Sequence, residues 1–139
     1  MIETILMCLL MQTPTPNDMS EYISCKRVED KVQHVVEWHD VIAEYFEPKD
    51  VLQAMLVVFC ESSGKPNAVG VNTNGTTDVG LWQFNDDTWA WLTVKLNIKT
   101  SRSNPIVSTR IASWLVYNDG WHHWNSSKGC WNEEYIFRP

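Results

Sequence analysis

The spacing of apolar residues predicts a chain built mainly of helices. Between residues 18 and 46 apolar side chains recur at helical intervals, which predicts one or two amphipathic helices. Glu47-Pro48 ends this run, and the almost wholly apolar segment from Pro48 to Ser62 predicts a buried central helix. Asn85-Asp86-Asp87 and Asn104-Pro105 are start signals for two further helices, to about Leu96 and from Ile106 to Tyr117.

After Gly64 the pattern changes from helical to extended. Asn74-Gly75 lies between two short β-prone arms, which is the strongest local signal for a β-hairpin. The returning arm carries Asp78 back toward the end of the central helix. From Trp121 to Pro139 the chain is rich in Trp and irregular, with room for a short helix. The predicted fold class is therefore α+β, mostly α.

Length and composition fit one globular domain preceded by a short tail. The chain has 139 residues, of which 44% are apolar. Gln12 to Pro16 is a stiff, non-helical stretch, so we expect an N-terminal tail over residues 1–16 and a single domain over 17–139. No apolar run is long enough to span a membrane. Ile2 to Met11 lacks the basic start and cleavage site of a secretory signal, although a signal fragment or a membrane-facing tail remains an alternative.

Charge and aromatic content narrow the classes of partner. The net charge of −6 argues against nucleic acid, whose affinity for proteins comes mainly from Lys and Arg contacts to phosphate. Eight Trp residues are far above average usage, and because Trp is large we expect several to line a cleft or cover its walls. Their flat faces suit sugar rings. An acidic protein would not be attracted to an anionic polymer, so for a target of that kind a carrier such as a virion or a secretion apparatus is an expected partner.

Two carboxylates carry the candidate chemistry. Glu61 lies on the last turn of the predicted central helix, where apolar neighbours and the negative end of the helix dipole oppose its ionisation. Asp78 follows 17 positions later on the hairpin. One protonated and one charged carboxyl group are what cleavage of a glycosidic bond requires. A Glu at a helix end and an Asp in a turn are each usually ordinary surface residues, so the pair carries the hypothesis.

The segment from Glu61 to Asn85 resembles the lysozyme superfamily. Glu61-Ser62, Asn72 to Gly80 and Gln83 to Asn85 are similar to animal-type lysozymes, with the two acids at the same spacing. Glu61-Ser62, Pro66 and Gly80 to Gln83 are similar also to soluble lytic transglycosylases and phage tail lysozymes. The resemblance implies a lysozyme-like fold with the hairpin flanking the active-site cleft.

The resemblance also implies roles for individual residues. Glu61 would be the general acid and Asp78 the second carboxylate, while Gln83 and Asn85 would line the cleft and bind substrate. Trp89 corresponds to the second of two sugar-contacting Trp residues in lysozymes, and Thr88 stands where the first would be. Trp124 is expected to pack over the cleft near Glu61 or to be part of the core.

The function that this implies is hydrolysis of the β-1,4 bonds between N-acetylmuramic acid and N-acetylglucosamine in peptidoglycan. Such a muramidase needs no cofactor, because two carboxyl groups and a water suffice. The alternatives are a lytic transglycosylase that gives 1,6-anhydro products, and a non-catalytic glycan-binding or structural protein on the same fold. The transglycosylases usually carry a small residue where Asp78 stands, which favours hydrolysis. An extracytoplasmic site of action, secreted, periplasmic or virion-associated, follows from the substrate.

Cysteine and histidine residues add two further expectations. The four cysteines lack C-x-x-C spacing, so zinc and thioredoxin-like motifs are not indicated, and either disulfides or buried free thiols would fit. By analogy with animal-type lysozymes we expect a Cys60–Cys130 disulfide. His122-His123 is not expected to bind a metal, because adjacent side chains point apart and no carboxylate at ligand spacing joins them.

Overall fold

The computed structural model describes residues 19–132 and residue 134. The fold class predicted from the sequence is confirmed: a mostly helical α+β domain with one small antiparallel sheet. The helices are α1 Met19–His34, α2 His39–Tyr45, α3 Val51–Ser62, α4 Asp86–Leu96, α5 Pro105–Asp119 and α6 Lys128–Trp131. The strands are β1 Val69–Val71, β2 Thr77–Val79 and β3 Phe84–Asn85, and 3-10 turns cover Val36–Trp38, Pro48–Asp50 and Trp121–Ser127. The predicted tail, residues 1–16, lies outside the described residues.

Helix α3 is the centre of the core, as its apolar sequence predicts. Leu56, Val57 and Val58 are fully buried, and α1, α2 and α6 all pack against this helix. Because a helix that is apolar almost all round must be covered on every side, the domain is assembled around it. Its chain direction carries Glu61 to the edge of the core.

Two asparagine caps begin the helices that flank the site. The side chain of Asn85 accepts a hydrogen bond from Asp87 N at the start of α4, and that of Asn104 accepts from Ile106 N and Val107 N at the start of α5. Both starts were predicted from the same residues. At the start of α3 the structure differs, because Pro48 begins a separate 3-10 turn and the α-helix begins at Val51.

The predicted hairpin is confirmed, and a third strand extends it. β1 and β2 pair antiparallel through Val71 opposite Thr77, with Gly75 in the connecting loop at a φ of 85°. β3 pairs with β2 so that Asn85 lies directly opposite Asp78. A strand of two residues has no periodicity to detect, which is why the sequence pattern did not indicate it.

The expected disulfide is present between Cys60 and Cys130. It ties the end of α3 to α6, and Lys31 Nζ on α1 donates to the carbonyl of Cys130 at 2.9 Å. Cys25 is disulfide-bonded as well, so the alternative of free thiols is wrong for these three cysteines. The segment after α5 is thereby fixed against the residue that precedes Glu61.

Candidate active site

A cleft of about 150 Å³ opens between the end of α3, the sheet and the segment after α5. It brings together both predicted acids and three of the four predicted binding residues, and other side chains join them along its walls. The lining includes Glu61, Asp78, Gln83, Asn85, Thr88, His123, Trp124 and Ser126. The sequence pattern had placed these residues on four separate elements, and the fold makes them neighbours.

The two Trp residues predicted to bind substrate, Trp124 and Trp89, differ in whether they line the cleft. Trp124 is buried, lines the cleft, and donates from Nε1 to the carbonyl of Trp82 at 3.0 Å. Trp89 packs on Phe84 with ring centroids 5.3 Å apart, and the cleft is lined instead by its neighbour Thr88. Trp124 therefore belongs both to the core and to the wall of the cleft, whereas Trp89 is not among the residues that line the cleft.

Glu61 occupies the last turn of α3 and is partly buried. Burial raises the pKa of Glu61 above its ordinary value because the carboxylate is separated from water. A hydrogen bond from Ser127 opposes this increase, and the negative charge of Asp78 adds to it. The group is thus biased toward the protonated form that a general acid requires.

Ser127 is the direct partner of Glu61, and sequence reasoning missed it. Its hydroxyl donates to Glu61 Oε1 at 2.6 Å and accepts from the indole Nε1 of Trp131 at 3.1 Å. The carbonyl of Trp124 lies 3.2 Å from the same hydroxyl oxygen and is a second acceptor for its hydrogen. Ser127 and Glu61 are 66 positions apart, so no local pattern links them. The Cys60–Cys130 disulfide could have indicated the contact, because Cys60 is next to Glu61 and Cys130 lies three residues after Ser127.

Asp78 is held by its cross-strand neighbour Asn85. The Asn85 amide donates to Asp78 Oδ1 at 2.8 Å and to Thr76 Oγ1 at 3.0 Å, while its oxygen accepts from Asp87 N at 3.2 Å. Both amide hydrogens are therefore engaged within the protein. Asn85 therefore orients Asp78, and the direct contact between Asn85 and a glycan that the sequence led us to expect stays a prediction.

Gln83 similarly supports the backbone of the sheet. Its Nε2 donates to the carbonyls of Ala68 and Gly80, both at 3.0 Å, and its own φ is 50°. Because an amide nitrogen carries two hydrogens, the donors of Gln83 are already used. Gln83 lies on the cleft wall, its bonds indicate that it holds the turn between β2 and β3, and its expected contact with substrate stays a prediction.

Asp86 and Arg102 hold the sheet from behind. Asp86 accepts from the backbone N and the hydroxyl of Thr77 at 2.8 and 3.0 Å and forms a salt bridge with Arg102. Arg102 also donates to the carbonyls of Thr77 and Phe84, one on each of the strands β2 and β3. These bonds to Thr77 and Arg102 lower the pKa of Asp86. Asp78 is thereby carried on a braced strand.

The expectation that no carboxylate joins His122 and His123 is wrong. Asp119, the last residue of α5, accepts from both imidazole rings. It stands three and four positions before the two histidines, so a single carboxylate reaches both even though they are adjacent.

A helical domain with an acid at a helix end and a second carboxylate on a small sheet, both lining one cleft, has the arrangement that glycan-cleaving enzymes use. Comparison with protein families agrees: residues 41–126 match the family described as "Lysozyme like domain", and the chain belongs to this family. Its members act on peptidoglycan as glycan hydrolases or lytic transglycosylases. Comparisons with curated proteins and with solved structures gave no significant match. No helix within the described residues is long and apolar enough to cross a membrane.

Proposed function

We propose that this protein is a muramidase that hydrolyses the β-1,4 bonds between N-acetylmuramic acid and N-acetylglucosamine in peptidoglycan. One observation carries the proposal. A partly buried Glu61, whose pKa is raised by that burial, lines the same cleft as a second carboxylate fixed by a cross-strand amide. Two carboxyl groups in unlike environments are the arrangement that allows one to act as acid while the other stays charged.

Glu61 acts as the general acid in this proposal. In the protonated form it delivers its proton to the glycosidic oxygen as the bond to the leaving sugar breaks. Ser127 then donates to the new carboxylate at Oε1, where a hydrogen bond to an ionised group is strongest. When Glu61 is protonated again, Ser127 can accept from it and turn its own hydrogen to the carbonyl of Trp124. The hydroxyl thus serves both protonation states.

Asp78 stabilises or traps the oxocarbenium-like centre that forms at the anomeric carbon. Asn85 holds one oxygen of its carboxylate, so the other can turn toward the sugar. The brace formed by Asp86 and Arg102 keeps β2 in place while charge develops beside it. Preorganised groups of this kind cost little reorganisation during the reaction. The presence of Asp78 supports attack by water and disfavours formation of a 1,6-anhydro ring.

The test is digestion of purified peptidoglycan by wild type and by Glu61→Gln. The Gln side chain keeps the size and the acceptor for Ser127 but has no proton to deliver, so activity should fall by roughly 100-fold to 10,000-fold. Glu44→Gln, an exposed acid on α2, is the matched control and should retain activity. Wild-type clearance by the Glu61 variant would refute the mechanism.

Product analysis separates hydrolysis from its alternatives. Mass spectrometry of the wild-type digest should give reducing ends, whereas 1,6-anhydro products would mean lytic transglycosylation. Binding without any cleavage would mean a non-catalytic glycan-binding protein. Among hydrolases, early NMR of the products should give the β anomer, since a retaining reaction is expected, and an initial α anomer would indicate inversion.

The extent of the domain and the site of action follow from the same proposal. Helices α1 and α6 pack on α3 outside the matched segment 41–126, which supports one lysozyme-like domain over residues 17–139. Peptidoglycan lies outside the cytoplasm, so we infer extracytoplasmic action, with a virion or a secretion apparatus as carrier. No cofactor enters the mechanism.

A further inference from the structure

Three metal-ligating side chains converge at the end of α5. The imidazole Nε2 atoms of His122 and His123 lie 3.0 and 2.7 Å from the same carboxylate oxygen, Oδ2 of Asp119. The two ring centroids are only 4.2 Å apart, and the three ligand atoms all lie within 4.8 Å of one another. Gly120, with a φ of 88°, turns the chain between α5 and the 3-10 segment so that the histidines fold back over Asp119.

The spacing of these atoms is close to that of a metal centre. In a tetrahedral site with bonds of about 2.0 to 2.1 Å, neighbouring ligand atoms stand roughly 3.3 Å apart. The two N···O distances of 2.7 and 3.0 Å need to open by roughly 0.3 to 0.6 Å to admit an ion, and the two imidazole nitrogens, which lie within 4.8 Å of each other, adjust with them. Since all three side chains reach solvent, they can make this adjustment and an ion can enter.

The ligand set selects a chemical class of ion. Two imidazole nitrogens and one carboxylate oxygen suit Zn²⁺, Co²⁺, Ni²⁺ and Cu²⁺, whereas Mg²⁺ and Ca²⁺ prefer sites made of oxygen alone. Three protein ligands leave further positions for water, as an exposed site allows. We propose that Asp119, His122 and His123 form a binding site for a divalent transition-metal ion such as Zn²⁺.

The position of this metal site predicts that a bound ion affects both the stability of the fold and the cleft. An ion bound there joins the end of α5 to the segment that carries Trp124 and Ser127, and would stabilise the folded protein because the unfolded chain does not hold these ligands together. His123 also lines the cleft, so the ion would sit at its rim. If the proposed function holds, bound metal should therefore slow cleavage of peptidoglycan.

The experiment is titration of the purified full chain, free of any histidine tag, with Zn²⁺ by calorimetry and with Co²⁺ by visible absorption. We expect one ion per chain, a rise in the thermal midpoint with Zn²⁺, and a Co²⁺ spectrum of low coordination number. His122→Ala, His123→Ala and Asp119→Asn should each weaken binding by at least about 10-fold, since even loss of a supporting partner costs that much.

His39→Ala is the matched control. His39 is also exposed and paired with a carboxylate, that of Asp40, but this pair offers an ion one imidazole where the proposed site offers two. It should bind Zn²⁺ like wild type, and circular dichroism should find every variant folded. Absence of 1:1 binding, or an equal loss in the His39 variant, overturns the proposal. Because these readouts use metal and protein alone, they stand apart from the outcome of the peptidoglycan assay.

Discussion

Replacing Ser127 by Ala removes the hydroxyl that donates to Glu61 Oε1 at 2.6 Å. The bond favours the ionised carboxylate, because hydrogen bonds to charged groups are stronger than those between neutral ones. Ser127 thereby opposes the increase in the pKa of Glu61 that burial causes. Its removal should raise the pKa of Glu61 further and move the alkaline limb of the pH–rate profile to higher pH.

The size of the effect follows from the difference between the two protonation states. A hydrogen bond to a charged group contributes about 1.5 to 3 kcal/mol, and one between neutral groups about 0.5 to 1.5 kcal/mol. Protonated Glu61 can still donate to Ser127, which then donates to the carbonyl of Trp124 at 3.2 Å. Only the difference, about 1 to 1.5 kcal/mol, acts on the equilibrium, which corresponds to a shift of roughly one pH unit.

The assay is kcat/KM on purified peptidoglycan from about pH 4 to 9, together with carbon NMR of the Glu61 carboxyl group. Ser127→Ala should remain folded, because Trp131 Nε1 keeps its bond to the carbonyl of Trp124 at 3.1 Å. Ser127→Thr retains a hydroxyl and should restore the profile, and Ser101→Ala, on an exposed loop, should not change it. A folded Ser127→Ala protein whose alkaline limb stays in place or moves to lower pH would refute the reasoning.

Three further changes test the fold and its electrostatics. Because the folded pKa of Glu61 lies above its unfolded value of about 4.3, its ionisation costs stability as pH rises from that value through the folded pKa. Glu61→Gln should therefore raise the thermal midpoint at neutral pH and leave it nearly unchanged well below about pH 4, and equal effects at both would contradict this. Gly80→Ala should destabilise by about 1 to 3 kcal/mol in urea unfolding, since φ is 95° and a Cβ would collide with the carbonyl of Arg102, whereas Gly129→Ala, with open space around it, should not. Replacing Cys60 and Cys130 by Ser opens a loop of 70 residues and should cost about 4 kcal/mol in the chain-entropy model, and an unchanged urea midpoint would argue against the bridge.

The parts of the fold that could be predicted are those with a local cause. An almost wholly apolar run defines α3, and asparagine side chains that accept from backbone N–H groups two or three positions later define the starts of α4 and α5. The Asn74-Gly75 loop gives the hairpin and puts Asp78 on its second arm. In each case residues within a few positions of one another decide the structure.

The parts that escaped prediction depend on contacts across the chain or on exact geometry. Ser127 reaches Glu61 only after α6 has been tied to α3 by the disulfide. Asp119 joins the two histidines because a glycine turns the chain at the end of α5. The sequence indicated that Gln83 and Asn85 would line the cleft. It could not indicate that their amide groups bond other parts of the protein, because hydrogen-bond directions are not encoded in a sequence pattern.

Asn85 is the last residue of β3, and its one side-chain amide both begins α4 and holds the carboxylate of Asp78. The start of α4 and the orientation of Asp78 are consequently linked through one side chain: if fraying of the first helical turn displaces Asn85, Asp78 loses the bond that holds it. If Asp78 acts as proposed, local opening at this helix end would then stop the reaction without global unfolding. A substitution of Asn85 should then change stability and turnover together, because the same side chain caps the helix and holds the carboxylate.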